Sequence, residues 1–124
     1  HGFAGAIGGA FPAPHGAICA RLLAGVCAAN FQSLEKEHFQ SSNHWKFSEL
    51  AGLLTGDPQA APRKGIRWLA DVCEHLRIPG LAVYGVTPAH VSALVKQSQQ
   101  ASSMKGNPVV LPADVLSEIL LSAL

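Results

Sequence analysis

The sequence predicts an all-α domain, a bundle of about five helices that follows an irregular loop rich in glycine and proline. Apolar residues recur at spacings of three and four along most of the chain, which indicates amphipathic helices. The apolar segment 81–86 has the propensity of a strand, but no second strand is in view to pair with it, so we interpret it as a connector. With 124 residues, 48% of them hydrophobic, residues 1–124 are expected to form a single domain around one core.

The opening loop, residues 1–16, contains five of the twelve glycines and two of the eight prolines. This composition predicts a backbone that turns sharply and forms neither a regular helix nor a strand. His1 and His15 frame the loop. On one continuous helix they would lie about 21 Å apart along the axis, whereas two nitrogens bound to one metal each lie about 2 Å from it. The two histidines could therefore share an ion only if the chain folds back, and histidines at such a spacing are otherwise ordinary surface residues.

Five segments after the loop carry a helical pattern, and the residues between them carry turn signals. Thr87 is expected to cap a helix that has Pro88 at its first position. Residues 31–43 are expected to contain the end of the first helix and an exposed loop with His38, and we expect His44 to be exposed too. The five predicted helices span 17–30, 45–55, 62–77, 88–102 and 112–124.

A second pair of possible metal ligands lies in the predicted helix 62–77. Asp71 and His75 are four residues apart, which places both side chains on one helix face, where they could share a metal or a proton. We interpret them as a surface charge pair. The apolar stripe of the same helix is predicted to be buried: Ile66, Leu69, Ala70, Cys73 and Leu76.

Composition excludes several classes of protein. The net charge of +1 and the scattered basic residues, with one short cluster at 63–67, argue against a nucleic-acid partner. No uninterrupted apolar run approaches the eighteen or so residues of a membrane span. Cys19 and Cys27 would lie about 12 Å apart along one helix, too far for a disulfide, so we expect reduced thiols and a cytoplasmic protein. Charged residues make up only 14% of the chain, which indicates a surface partly covered by a partner.

The opening pattern His-Gly-Phe-Ala-Gly-x-x-Gly-Gly-x-Phe-x-x-Pro-His-Gly resembles the second metal-ligand segment of the iron-containing (group III) alcohol dehydrogenases. The segments Ile78-Pro-Gly-Leu81 and Asn107-Pro108 support the resemblance, which covers essentially the whole chain. It implies a dehydroquinate synthase-like C-terminal domain in which His1 and His15 bind a divalent metal, Fe²⁺ or alternatively Zn²⁺. It also implies that the loop before Pro108 approaches the substrate pocket. Gly5 departs from several relatives, which have a third, non-ligand histidine there.

The family's other two ligands, an Asp and a His, precede this segment. The resemblance therefore implies that the chain is the C-terminal part of a longer two-domain enzyme, whose N-terminal α/β nucleotide-binding domain is absent here. The expected reaction of the parent is the reversible oxidation of a small primary alcohol to an aldehyde with NAD(P), the metal acting as a Lewis acid. We expect the 124-residue chain alone to be inactive, and the parent to be a homo-oligomer.

Two alternatives remain open at this point. A helical remnant could serve as a non-catalytic oligomerisation or interaction module, burying by self-association the surface that a lost domain would cover. A chain that begins His-Gly-Phe could also bind copper through its α-amine and two histidines, as the polysaccharide monooxygenases do. Those proteins are β-sandwiches rich in aromatic residues, whereas this sequence has 6% aromatic residues and a helical pattern.

Overall fold

The computed structural model describes residues 1–36 and 44–124, and these residues form six α-helices, three short 3-10 helices and no strand. The all-α prediction is confirmed, with one helix more than expected. The α-helices are α1 (Gly2–Ala10), α2 (His15–Lys36), α3 (His44–Thr55), α4 (Pro62–His75), α5 (Val91–Gln100) and α6 (Ala113–Ser122). The 3-10 helices are Leu81–Tyr84, Pro88–His90 and Ser102–Gly106.

The additional helix is α1, and it corrects the prediction of an irregular loop over residues 1–16. A glycine inside a helix costs up to about 1 kcal/mol relative to alanine. Phe3 and Ile7 lie one turn apart on α1 and are both buried in the core, and burial of such a side chain contributes about 1.5–3 kcal/mol. Packing therefore outweighs the weak intrinsic propensity of the glycines. Only the segment 11–14 remains as a turn.

The central helix of the bundle is α2, which packs against α1, α3, α4 and α6. It begins two residues earlier and ends six residues later than the predicted span 17–30, and its end at Lys36 lies within the segment 31–43, where a helix end was expected. By length and average hydropathy it could also cross a membrane, although a core helix meets the same criteria. Arg21 and other polar residues interrupt the apolar run of this helix, so the sequence pattern does not predict a membrane span.

Helices α3 and α4 form an antiparallel hairpin whose boundaries agree with the prediction. The turn between them uses Gly56, whose positive φ of 71° favours glycine. The predicted burial of the α4 stripe is wrong, because Ile66, Leu69 and Cys73 are only half-buried and Ala70 and Leu76 are exposed, Leu76 to 63%. Helix α4 packs mainly against α2 and α3, so it lies at the edge of the bundle and buries only one side.

The segment 81–86 is a connector, as predicted, and its first four residues form a 3-10 helix. Thr87 is the N-cap residue of the second 3-10 helix, as predicted. Its backbone N–H donates to Nδ1 of His90, three residues later, at 3.1 Å. His90 is exposed, and its ring packs edge-on against Phe11 at 5.0 Å. The predicted helix 88–102 is shorter and is divided between the second 3-10 helix and α5.

The three cysteines are free and half-buried, and burial raises the pKa of the Cys27 thiol above its ordinary value. We expect alkylation of Cys27 by iodoacetamide to reach half its maximal rate at a higher pH in the folded chain than in urea, because only the thiolate reacts. The folded state retains this proton more tightly, so the associated stability is lost as pH rises through the folded-state pKa. Mass spectrometry of the labelled peptide measures both midpoints, and equal midpoints would contradict the burial effect.

Candidate metal centre and adjoining cleft

His1 and His15, the two predicted metal ligands, lie side by side. His1 immediately precedes α1, and His15 is the first residue of α2. The turn between the helices reverses the chain, with the Ala13 N–H donating to the Phe11 carbonyl at 2.8 Å. As a result the two imidazole rings have centroids 4.9 Å apart and planes at 61°. The chain folds back as a shared ion would require, through two helices and a short turn.

The spacing of these rings fits a shared metal ion. With each ligating nitrogen about 2 Å from the ion, two imidazole centroids on one tetrahedral or octahedral metal lie roughly 4.5–5.2 Å apart. The observed 4.9 Å falls within this range. Both histidines are exposed, so further ligands can reach the same position from outside the domain. Within the described ranges, no group of three or more His, Cys, Asp or Glu side chains could hold a metal by itself.

Two helix N-termini meet at the histidine pair, because His1 and His15 stand at the starts of α1 and α2. Neither helix has an acidic residue in its first turn, and α1 has no side-chain cap. The positive ends of both helix dipoles therefore face the pair, which favours a negatively charged group beside the rings. A carboxylate ligand or an alkoxide is such a group.

A cleft of about 340 Å³ opens next to His1. Its wall is mostly apolar, with polar groups only from His1, Ser103 and Asn107. Met104 reaches across to the start of α1, where a Cβ on Gly2 would lie 2.7 Å from the Met104 sulfur. The loop before Pro108 thus borders the same cleft as His1. The lining residues are His1, Gly2, Phe3, Val26, Ser103, Met104, Gly106, Asn107, Leu111 and Leu116.

A reciprocal pair of amides holds this loop against the central helix. Asn30 Nδ2 donates to Asn107 Oδ1 at 2.9 Å, and Asn107 Nδ2 donates to Asn30 Oδ1 at 2.7 Å. Asn107 Nδ2 also donates to the Val109 carbonyl at 2.8 Å. Asn30 is buried and Asn107 half-buried, so these bonds exchange little with water. The pair fixes one wall of the cleft.

Asn30 is not among the functional residues predicted from the sequence, although its position in α2 is unusual for a polar residue. It lies four residues after Val26 and three after Cys27, so a polar side chain occupies a position that continues the apolar pattern of α2. Such a residue needs a hydrogen-bond partner inside the fold. Its partner, however, is 77 positions away and cannot be found from helical spacing.

The other candidate residues lie away from the histidine pair. Asp71 and His75 are exposed on α4. His38 lies outside the described residues, while His44 is described only as the first residue of α3. Gly5 is exposed on α1, and a Cβ there would meet nothing within 4 Å.

Comparison with known proteins identifies the class to which this helical domain belongs. Residues 1–124 match the family described as "Fe-containing alcohol dehydrogenase family, C-terminal", and the chain belongs to that family. It is 25% identical over 113 residues to a choline dehydrogenase of Bacillus subtilis (strain 168), a match that covers 87% of this chain and 26% of that protein. The chain thus spans about a quarter of the length of this curated relative. No solved structure matches.

The family assignment and the fold decide one of the alternatives. The polysaccharide monooxygenases are β-sandwiches, whereas residues 1–36 and 44–124 contain no strand and the chain matches a different family. The chain is therefore not a protein of that type.

Proposed function

We propose that this chain is the metal-binding helical domain of an iron-dependent NAD(P) alcohol dehydrogenase, with His1 and His15 as two of the metal ligands. The observation that supports the proposal most directly is the 4.9 Å separation of the two imidazole rings in a chain of this family. The parent reaction is the reversible oxidation of a primary alcohol to an aldehyde, with NAD(P)⁺ accepting the hydride.

The residues of this chain have distinct parts in that reaction. A bound Fe²⁺ or Zn²⁺ supplies a Lewis acid for the substrate oxygen. His1 and His15 hold the ion, and the N-termini of α1 and α2 stabilise negative charge that develops on the oxygen. The cleft beside His1 receives the apolar part of the substrate and excludes water from it.

The remaining parts of the enzyme belong to a partner domain. We propose that an N-terminal α/β domain binds NAD(P) and contributes an Asp and a His to the metal, and that the complete enzyme is a cytoplasmic homo-oligomer. A carboxylate beside the two helix N-termini is electrostatically favourable, which supports this completion of the site. The 124-residue chain should not turn over an alcohol by itself.

The lining of the cleft favours an uncharged alcohol. The name of the Bacillus subtilis relative suggests choline, whose quaternary ammonium group is recognised by faces of several aromatic rings. Among the described lining residues, Phe3 contributes the one phenyl ring, is 3% exposed, and is not joined by any carboxylate. We therefore propose a small primary alcohol with an apolar chain.

Metal titration of the purified chain tests the ligand assignment. We expect Co²⁺ or Zn²⁺ to bind weakly, since two neutral nitrogens provide no compensating charge, and His1→Ala or His15→Ala to weaken binding by about 10–100-fold. Isothermal titration calorimetry and the Co²⁺ absorption spectrum measure this. The titration uses chain with an acetylated N-terminus, so that the α-amine of His1 contributes no ligand.

The matched control is His75→Ala, which removes an exposed histidine of α4 and should leave the affinity unchanged. Equal losses from His75→Ala and His1→Ala would contradict the proposed site. So would a His1→Ala, His15→Ala double variant with the affinity of the unsubstituted chain.

The non-catalytic interaction module remains a second candidate, favoured by the exposed apolar side chains of α3. Trp45 and Leu53 are 58% and 78% exposed. A stable dimer in sedimentation experiments, combined with no metal affinity at the histidine pair, would replace the proposed dehydrogenase role with this one.

A further inference from the structure

Met104 stands between two clefts that share a wall. The first is the cleft beside His1, and the second has a volume of about 230 Å³ and is lined in part by the segment that carries Met104. Both are bordered by Met104, Asn107, Leu111 and Leu116. Either volume alone is near or below the lower limit of small-molecule sites, which occupy about 300–1,000 Å³, whereas the two together fall within that range.

The second cleft is suited to an apolar chain. Val109, Val110 and Leu111 line it with Leu116, while its polar residues are Gln99 and Lys105 besides Asn107. Val110 is fully exposed, so the cleft is open to solvent at this residue. A straight alkyl chain that enters from His1 would pass Met104, then the shared apolar wall, and would end near this opening.

Of the four shared residues, Met104 is the one able to move. Leu111 and Leu116 are buried in the core, and Asn107 is fixed by its hydrogen bonds to Asn30 and Val109. The Met104 thioether is half-buried and rests on Gly2, which has no side chain to displace. Methionine is unbranched and adapts its shape easily.

We propose that Met104 is a specificity-determining residue that sets the length of the alcohol chain this site accepts, and that the second cleft receives the far end of longer chains. The inference rests on the proposed alcohol dehydrogenase function and narrows its substrate class to unbranched primary alcohols and their aldehydes. Shortening Met104 joins the two clefts and extends the accepted length.

Binding of 1-alkanols from ethanol to 1-octanol, measured by methyl NMR on the metal-free chain, tests this proposal. The methyl groups of Leu111 and Leu116 report on both clefts. Met104 is the sole methionine of the sequence, so its methyl resonance reports directly on the boundary between the two clefts. Each methylene that enters an apolar cleft should raise affinity about fourfold.

In the unsubstituted chain this increase is expected to fall below about twofold per methylene once the alkyl chain reaches Met104. In Met104→Ala it should continue to the longest alkanol. Met104→Leu, which keeps the side-chain volume, and Lys105→Ala, which changes only the second cleft, serve as matched controls and should retain the original profile.

Identical profiles for Met104→Ala and the unsubstituted chain would overturn the proposal, as would an equal gain for ethanol and octanol. The far-UV circular dichroism of each variant verifies the fold. If Met104→Ala unfolds, Gly2→Ala provides the second variant, because its Cβ would lie 2.7 Å from the Met104 sulfur and 3.1 Å from the Met104 Cα. The thioether must then move, which should shift the length dependence without shortening Met104. The experiment contains no metal, so loss of the proposed metal site would be seen in the metal titration and not in these profiles.

Discussion

Gly65→Ala is expected to destabilise the chain by about 2–4 kcal/mol, because it places a methyl group where two helices touch. A Cβ on Gly65 would lie 2.7 Å from Ala51 Cα and 3.0 Å from Ala51 Cβ. Both residues are buried, and the nearest atoms belong to the α3 backbone, which cannot move aside as a long side chain can. The α3–α4 hairpin must separate to accept the methyl group. Urea denaturation followed by circular dichroism measures the change.

Gly5→Ala is the matched control and should change the free energy of unfolding in the opposite direction. Gly5 lies in the interior of α1, is exposed, and has open space around the position of a Cβ. The same substitution should therefore stabilise the chain by about 0.5–1 kcal/mol through helix propensity alone. Destabilisation of similar size by both substitutions would show that the close approach of α3 and α4 is not the cause.

Asn30→Asp should lower the free energy of unfolding by about 2–3 kcal/mol at neutral pH, although the side chain keeps nearly the same size and shape. The carboxylate oxygen that replaces Asn30 Nδ2 would face Asn107 Oδ1 at the present 2.9 Å, with no hydrogen between the two acceptors. Gln32→Glu, an equivalent change at an exposed position of the same helix, should stay within about 0.5 kcal/mol.

The cost of Asn30→Asp should shrink as pH falls. Once protonated, the new carboxyl regains a donor for Asn107 Oδ1, so burial and the facing acceptor raise its folded-state pKa above the unfolded value of about 3.9. The folded state then binds the proton more tightly than the unfolded state. Relative to the unsubstituted chain, stability is recovered as pH falls through the folded pKa. A pH-independent difference would contradict the proposed donor–acceptor pairing.

Helix periodicity predicted most of the fold because most helices carry one clear apolar stripe. Helices α3 and α6 lie within two residues of their predicted boundaries. Helix α1 was missed because its four glycines are poor helix formers, while the burial of Phe3 and Ile7 depends on partners elsewhere in the chain. Likewise Leu76 continues the stripe of α4 but reaches past the edge of the bundle, which no local pattern records.

The two histidines of the candidate site could be predicted from the sequence, but the contacts that hold the adjoining cleft in place could not. His1 and His15 were identified from their loop and its resemblance to a family, and the structure brings their rings together. Metal binding by the pair stays a prediction. The Asn30–Asn107 amides and the position of Met104 over Gly2 join residues that are far apart in the sequence, so only the folded chain shows them.

The turn that brings His1 and His15 together would give a bound metal ion a structural role besides the proposed chemical one. An ion held by both rings crosslinks a segment of fifteen residues that includes the whole of α1. Closing a loop of that length in the unfolded chain removes conformational entropy equivalent to about 3 kcal/mol at 25 °C. A bound metal ion would therefore stabilise the glycine-rich helix α1, which has the weakest intrinsic tendency to fold.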